Sequence, residues 1–183
     1  MRSDEELAEA LRRGDEQAFA SLYDRYRRPL FVFGVRMLGS AEAARDLVQD
    51  TFLGIWERRG ALERPRSFRG WLFTVGRNRC LTLLRQRRTR ARLDTVAHAP
   101  PAAEAPVSCL EAEEESRRIR QAVAELPDGQ REVLVLREYQ ELSYREIAEI
   151  TGASESAVKA RLFRARQALA VRLSPALAKG DET

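Results

Sequence analysis

The chain has 183 residues, of which 44% are hydrophobic and 33% charged, and it carries a net charge of +4. This length allows one moderate core or two small ones. Glycine and proline are sparse and alternating apolar runs are absent, which predicts an all-α protein. The sequence has no run of 18 or more apolar residues, and its polar N-terminus is unlike a signal peptide. We therefore expect a cytoplasmic protein without membrane contact of its own.

Metal or cofactor chemistry has no sequence signature here. The two cysteines, Cys80 and Cys109, match no metal-ligand spacing, and the single histidine, His98, lies in an Ala/Pro tract. Reduced thiols and a solvated loop histidine are the simplest interpretation. We expect no metal and no cofactor.

The positive charge is concentrated in one stretch. Between Arg58 and Arg92 there are 12 arginines and one acid, Glu63, a local balance of +11 that leaves −7 for the rest of the chain. This asymmetry indicates one polyanion-binding strip on an otherwise acidic protein.

Three helices are predicted before that stretch. Ser3 and Glu6 form a capping box that starts a short helix ending near Gly14. Apolar residues from Phe19 to Met37 then recur every three or four positions, which predicts a long amphipathic helix, and Pro29 should kink it or split it in two. Ser40 caps a third helix, from Ala41 to about Trp56.

The third helix carries polar side chains away from its ends. Asp46, Gln49 and Asp50 lie mid-helix, where the helix dipole gives acids little stabilisation. They form either a solvated face or a docking face for a basic partner.

A long helix is predicted from Phe68 to about Arg90. Aromatic residues alternate there with arginines, in a pattern that would suit stacking of unpaired bases. The alternative is that the aromatics are core and the arginines solvated. We expect most of the aromatics to be core, but this alternative leaves the excess of arginines unexplained.

The chain is predicted to form two small helical domains, residues 1–92 and 110–183, joined by a flexible Ala/Pro-rich linker at 93–109. The second domain begins with an acidic helix near Leu110 that Pro127 stops, and a helix from about Gln130 to Glu138 follows.

A helix-turn-helix ends the pattern. Ser143 and Glu146 form a second capping box, Gly152 suits the turn, and Ser154 caps the next helix. The apolar stripe of that helix is Val158, Leu162, Ala165 and Leu169.

The other side of that last helix is cationic. Five basic residues stand against a single acid of the same helix, Glu155: Lys159, Arg161, Arg164, Arg166 and Arg172. A solvated basic face is the simpler reading of an isolated helix of this kind. The caps and turn at the right intervals favour DNA binding.

Two motif groups carry a resemblance to a known family. The first is DLVQDTFLGIW from Asp46 with SFRGWLFTVGRN from Ser67, and the second runs from Leu126 to Leu169. With both motif groups in this order, the chain is similar to the extracytoplasmic-function (ECF) sigma factors of the sigma-70 family. The similarity covers about residues 19–92 and 110–173.

This resemblance implies roles for individual residues. Asp46, Gln49 and Asp50 match the contact with the clamp helices of the largest RNA polymerase subunit. The stretch from about Arg58 to Asn78 matches the part that opens and reads the minus-ten promoter element. The candidate residues for minus-ten DNA are Arg66, Arg69, Trp71, Arg77 and Asn78. The candidates for minus-thirty-five DNA are Lys159, Arg161, Phe163 and Arg164.

The resemblance also implies partners. These are core RNA polymerase, including the flap of its second subunit for the C-terminal domain, promoter DNA and an anti-sigma factor. The resemblance implies that the chain directs transcription initiation. Because no nucleophile, metal-ligand set or phosphate-binding glycine loop is evident in the sequence, we expect no catalysis by the chain itself. Ala157 and Ala160 stand where relatives commonly have small hydroxyl residues, so hydroxyl contacts to DNA are not expected there.

Two other classes of protein remain open from the sequence. A repressor or activator with a helix-turn-helix would bind promoter DNA without polymerase. A recombinase of the resolvase type would need an N-terminal α/β domain with a serine nucleophile ringed by arginines, whereas this N-terminus reads as helices with Ser3 and Ser21 in unremarkable places.

Overall fold

The computed structural model describes residues 2–61, 67–93 and 110–174, with the backbone alone described at 61, 91–93 and 110–114. These residues form eight α-helices and one short 3-10 turn, and no strand occurs among them. The all-α prediction is confirmed. The α/β N-terminal domain that a resolvase requires is not found in residues 2–61.

The first half contains four α-helices in the order in which they were predicted. They are α1 (Asp4–Arg12), α2 (Glu16–Leu38), α3 (Ala41–Glu57) and α4 (Phe68–Leu93), with the 3-10 turn at Arg59–Ala61 before α4. Ser3 and Ser40 accept hydrogen bonds at the starts of α1 and α3, as expected. Asp15 caps α2 in the same way, through the backbone N–H groups of Gln17 and Ala18.

Helix α2 is not divided at Pro29. Proline removes one backbone donor, but α2 buries residues along its whole length, from Ala18 to Leu38. This burial outweighs the loss of one hydrogen bond. The helix ends at Gly39, which adopts the left-handed conformation with φ of 66°.

Helices α2 and α3 approach each other closely at a glycine. A Cβ atom on Gly34 would lie 3.0 Å from both Ala44 Cβ and Leu47 Cδ2. Any larger residue at position 34 would require these neighbours to shift.

The second half contains α5 (Leu110–Ala124), α6 (Asp128–Glu138), α7 (Tyr144–Thr151) and α8 (Glu155–Leu173). Helix α6 begins two residues earlier than predicted, directly after Pro127, whose fixed φ suits a helix start. Of the predicted linker at 93–109, Leu93 is the last residue of α4, and residues 94–109 lie outside the described residues. The domain boundaries stay a prediction.

The two halves pack against each other. Helix α6 contacts α2, and α7 contacts α4. Buried apolar residues of both halves, among them Phe33, Phe73, Val133 and Leu136, belong to one continuous core. The sequence predicted the two helical units but not their shared core.

Cys80 lies within this core and is fully buried. Burial disfavours the thiolate and raises the pKa of Cys80 to about 12. Within the described ranges, no cluster of three or more His, Cys, Asp or Glu side chains is placed to hold a metal ion. No helix there is long and apolar enough to cross a membrane.

Candidate nucleic-acid interface

The turn between α7 and α8 has the predicted helix-turn-helix geometry. The Ser143 hydroxyl accepts a hydrogen bond from Glu146 N at 3.2 Å, and the Glu146 carboxylate accepts one from Ser143 N at 2.8 Å. Gly152 has a φ of 67°, and Ser154 Oγ accepts from Ala157 N at 3.2 Å. Local sequence chemistry therefore fixes both helix starts and the turn between them.

Helix α8 separates into an apolar and a cationic face. Val158, Leu162 and Ala165 are buried against the rest of the second half. On the opposite face Lys159 and Arg164 are exposed, and Phe163 has 64% of its surface exposed. A single exposed apolar side chain is common on protein surfaces, but this ring lies among cations on the helix that a helix-turn-helix places in the major groove.

Two of the five cations on α8 have carboxylate partners elsewhere in the second half. Arg166 Nη2 lies 2.6 Å from Glu138 Oε1, a hydrogen bond that raises the pKa of Arg166, and Arg172 Nε lies 3.3 Å from Glu125 Oε2. The prediction that nothing local neutralises the five cations is therefore wrong for Arg166 and Arg172. Lys159, half-buried Arg161 and Arg164 remain as the cations of the candidate DNA face.

The minus-ten candidates on α4 lie against the second half of the chain. Arg77 Nε donates to Glu132 Oε1 at 2.6 Å, and the Arg69 guanidinium donates to the backbone oxygen of Gln140. Asn78 is exposed, and its Oδ1 accepts from Arg77 Nη1 at 3.3 Å. Arg66 lies outside the described residues.

Trp71 is half-buried beside Phe68, with ring centroids 5.9 Å apart. Phe68 and Phe73 are buried, so the core interpretation holds for these two aromatics. Trp71 lines a cavity of about 190 Å³ between α4 and α7, together with Glu146 and Glu149.

Glu146 is charged at neutral pH in this cavity. Burial opposes its ionisation, but hydrogen bonds from the Ser143 side chain and backbone and the positive charge of Arg69 outweigh burial. The pKa of Glu146 therefore lies below its ordinary value.

Internal contacts account for part of the arginine excess between Arg58 and Arg92. Arg59 stacks over the Trp56 ring at 4.3 Å, and Arg87 Nη1 donates to the Leu38 backbone oxygen at 2.8 Å. Arg88 Nη2 lies 2.6 Å from Asp128 Oδ2. The prediction of one continuous polyanion-binding strip is therefore too simple.

Helix α3 presents two of its three candidate docking residues to solvent. Asp46 and Gln49 are exposed, whereas the Asp50 carboxylate is held by Arg79 of α4. Leu53, one turn after Gln49, is 51% exposed. The mid-helix polar face is thus continued by an apolar residue that sequence reasoning did not single out.

An open groove of about 890 Å³ lies between α2 and α3 beside this face. Aromatic side chains line the groove. Among them are Tyr23 and Phe52, whose ring centroids are 4.9 Å apart. Three arginines also line it, Arg27, Arg28 and Arg45. Tyr23 and Phe52 belong to the predicted apolar stripes of their helices, and nothing in the sequence marks the groove beside them.

Two family models match the chain where these surfaces lie. Residues 22–90 match the model described as Sigma-70 region 2, and residues 116–169 match Sigma-70, region 4. The first match contains α3 and most of α4, and the second contains the helix-turn-helix.

Characterised proteins resemble nearly the whole chain. It is 33% identical to RNA polymerase sigma factor NccH of Alcaligenes xylosoxydans xylosoxydans, over 91% of this chain and 92% of that protein. It is 30% identical to ECF RNA polymerase sigma factor SigW of Bacillus subtilis, over 87% of this chain and 90% of that one.

Solved structures share the fold. The structure of CnrH in complex with the cytosolic domain of CnrY superposes with a TM-score of 0.72 at 29% identity, covering 93% of this chain and 96% of CnrH. Sigma factor RpoE of Bartonella quintana, crystallised with the anti-sigma factor NepR, gives 0.75 at 26% identity, covering 86% and 98%.

The fold, the helix-turn-helix and these matches together define a sigma factor. The chain belongs to the ECF sigma factors of the sigma-70 family. Its function is promoter-specific initiation of transcription with RNA polymerase.

Proposed function

We propose that the chain divides this function among three surfaces: α3 binds polymerase, α8 reads minus-thirty-five DNA, and α4 captures minus-ten DNA. The exposure of Phe163 within the cationic face of α8 is the observation that carries the proposal most directly. An aromatic ring at this place can contact a thymine methyl group in the major groove while neighbouring cations hold phosphates.

The minus-thirty-five element is read by Lys159, Arg161, Phe163 and Arg164. Phosphate contacts of the cations position the helix, and Phe163 and Arg164 contact base edges. Ala157 and Ala160 contribute no hydroxyl groups, so specificity depends on these longer side chains.

Asp46, Gln49 and Asp50 of α3 contact the clamp helices of the largest polymerase subunit. Asp46 and Gln49 are exposed, and the apolar surface of Leu53 extends the contact area. An acidic and apolar face of this kind suits a basic amphipathic partner.

The minus-ten element is captured by Arg66, Arg69, Trp71, Arg77 and Asn78. Extruding a base from its stack costs a few kcal/mol, which a stacking ring and guanidinium contacts to the backbone can offset. Trp71 is the stacking candidate, and Asn78 can donate to and accept from a base edge.

The remaining partners follow from the family. The neighbours CnrH and RpoE were solved with the cytosolic domain of CnrY and with the anti-sigma factor NepR. We propose that an anti-sigma factor also restrains this chain, that the second domain contacts the flap of the second polymerase subunit, and that the chain works in the cytoplasm without catalysing a reaction.

Transcription in vitro tests the proposal. The purified chain is mixed with sigma-free core polymerase and a library of promoter fragments, and transcript start sites are sequenced. We expect defined start sites preceded by shared minus-ten and minus-thirty-five sequences. The variant Phe163→Ala should change the minus-thirty-five consensus while leaving the minus-ten consensus. Absence of defined start sites on every template would overturn the proposal.

A further inference from the structure

Arg77, one of the minus-ten candidates on α4, faces a carboxylate of the second half that is almost fully buried. The side chains of Arg77 and Glu132 have 19% and 4% of their surfaces exposed, and both guanidinium nitrogens Nε and Nη2 donate to the Glu132 carboxylate. A buried carboxylate is strongly destabilised unless a cation pairs with it. Glu132 therefore requires Arg77 for as long as the two halves are together.

Other contacts of the same interface also engage α4. Arg88 pairs with Asp128 at 2.6 Å, one turn before Glu132 on α6. Arg69 donates to the backbone oxygen of Gln140, and its charge helps to lower the pKa of Glu146. Acidic groups of the second half thus meet the basic face of α4 at several points.

The second half is also fastened to backbone groups of α2. Arg131 Nη1 donates to the Met37 oxygen at 3.1 Å, at the end of α2 where the last carbonyls have no partner within the helix. Gln140, which is buried, donates to the Pro29 oxygen at 3.1 Å. These contacts fix the second half in one place on the first.

We propose that the second half is an intramolecular mask for the minus-ten surface. Glu132 pairs with Arg77 and Asp128 pairs with Arg88, where DNA phosphates would otherwise bind, and α7 faces Trp71 across a small cavity. Of the described minus-ten candidates, Asn78 remains exposed. Single-stranded DNA and the second half therefore compete for the same side chains. This inference rests on the proposed minus-ten role of α4.

The mask covers only one of the three surfaces. Asp46 and Gln49 on α3 are exposed, and so are Lys159, Phe163 and Arg164 on α8. The closed chain can therefore meet polymerase and duplex DNA while its minus-ten surface is closed. Opening becomes a separate step, which precedes capture of the unpaired strand.

The variant Glu132→Gln tests the mask in the full-length protein. Glutamine keeps the shape of the side chain but removes the charge that pairs with Arg77. The matched control is Glu138→Gln, on the same helix, which breaks the 2.6 Å pair with Arg166 inside the second half. Asp128→Asn is a second opening variant, in case Glu132→Gln does not fold by circular dichroism.

Two measurements are made on each variant. Small-angle X-ray scattering reports the separation of the halves, and fluorescence anisotropy reports binding of a random-sequence single-stranded DNA pool and of the corresponding duplex pool. Open minor states are populated at about 0.1–10%, and apparent affinity is reduced by that fraction. We expect the opening variants to have a larger radius of gyration and to bind single strands about tenfold or more tightly, with duplex binding unchanged.

The outcomes separate the mask from the minus-ten assignment. If the opening variants scatter like the wild type and like Glu138→Gln, the mask is wrong. If the halves of these variants separate but the variants bind single-stranded DNA no more tightly than the wild type, the second half does cover α4, and the minus-ten role of α4 is wrong. The double variant Arg77→Glu/Glu132→Arg should restore the compact scattering, and failure to do so would show that the pair does not hold the halves together.

Discussion

Arg79 of α4 and Asp50 of α3 are joined through one carboxylate oxygen, with Arg79 Nε 2.9 Å from Asp50 Oδ2. Both side chains are partly exposed, so the pair lies at the edge of the proposed polymerase face. An exposed pair of this kind contributes little to folding, which leaves its carboxylate available to a basic partner.

Charge reversal at this position should weaken polymerase binding. We expect Asp50→Arg to lower affinity for core polymerase by about tenfold or more, because like charges across an interface repel strongly. Pull-down and fluorescence titration with core enzyme measure the effect. Arg79→Gln, which breaks the same pair but keeps the carboxylate, should bind like the wild type. Equal binding by Asp50→Arg would remove this residue from the docking face.

Arg164 should contribute to promoter affinity. If Arg164 contacts a base bidentately, Arg164→Ala weakens binding of minus-thirty-five duplex by about 1–3 kcal/mol and relaxes specificity. If it contacts phosphate alone, the salt slope falls by about 1 without a change in sequence preference. Titrations at several salt concentrations distinguish these results. Arg166→Ala, at a residue paired with Glu138, is the matched control and should have a smaller effect. An unchanged affinity for Arg164→Ala would exclude it from the interface.

Gly34 should be intolerant of a side chain. Alanine there places a methyl group 3.0 Å from atoms of Ala44 and Leu47 in the α2–α3 contact, so Gly34→Ala should destabilise by about 1–3 kcal/mol. Gly54 of α3 has no atom within 4 Å of the corresponding position. Gly54→Ala should therefore stabilise the helix by about 0.5–1 kcal/mol. Urea unfolding of both variants measures the contrast, and a similar loss in both would contradict it.

The capping box of α7 should stabilise the helix-turn-helix. Ser143→Ala removes the acceptor for the Glu146 backbone N–H and should cost about 0.5–2 kcal/mol in the free energy of unfolding. Ser21, whose hydroxyl donates to the Gln17 oxygen on an exposed part of α2, is the matched control. Ser21→Ala should change stability by less than about 0.5 kcal/mol. Chemical denaturation compares them, and equal effects would argue against the cap.

Acid should weaken the fold through Glu146. Its pKa is lower in the folded protein than its ordinary value of 4.5, so its contribution is complete above that value and disappears as pH falls through the folded pKa. Glu146→Gln keeps a capping amide but cannot titrate. Urea unfolding over about pH 3 to 7 should show that the free energy of unfolding falls less steeply with decreasing pH in this variant than in the wild type. Parallel curves would show that Glu146 has no such role.

The local parts of the structure were predictable from the sequence. Caps at Ser3, Ser40, Ser143 and Ser154 depend on residues three positions apart, and the exposure of Phe163 follows from its place outside the apolar stripe of α8. Such features need no knowledge of tertiary packing.

The contacts between the halves were not predictable in the same way. Arg77 and Glu132 are 55 positions apart, and nothing in either neighbourhood marks one as the partner of the other. Each reads as an ordinary charged residue of an amphipathic helix. The continuity of α2 through Pro29 was not predictable for the same reason, because the burial that favours an undivided helix comes from helices elsewhere in the chain.

The burial of Cys80 makes its thiol a reporter of global unfolding. Alkylating reagents attack the thiolate, which is scarce when the pKa is about 12 and the sulfur is enclosed in the core. In a variant carrying serine at position 109, the rate at which Cys80 becomes labelled therefore measures how often the whole core opens. The rate of core opening can therefore be measured by alkylation of Cys80, without an attached fluorophore.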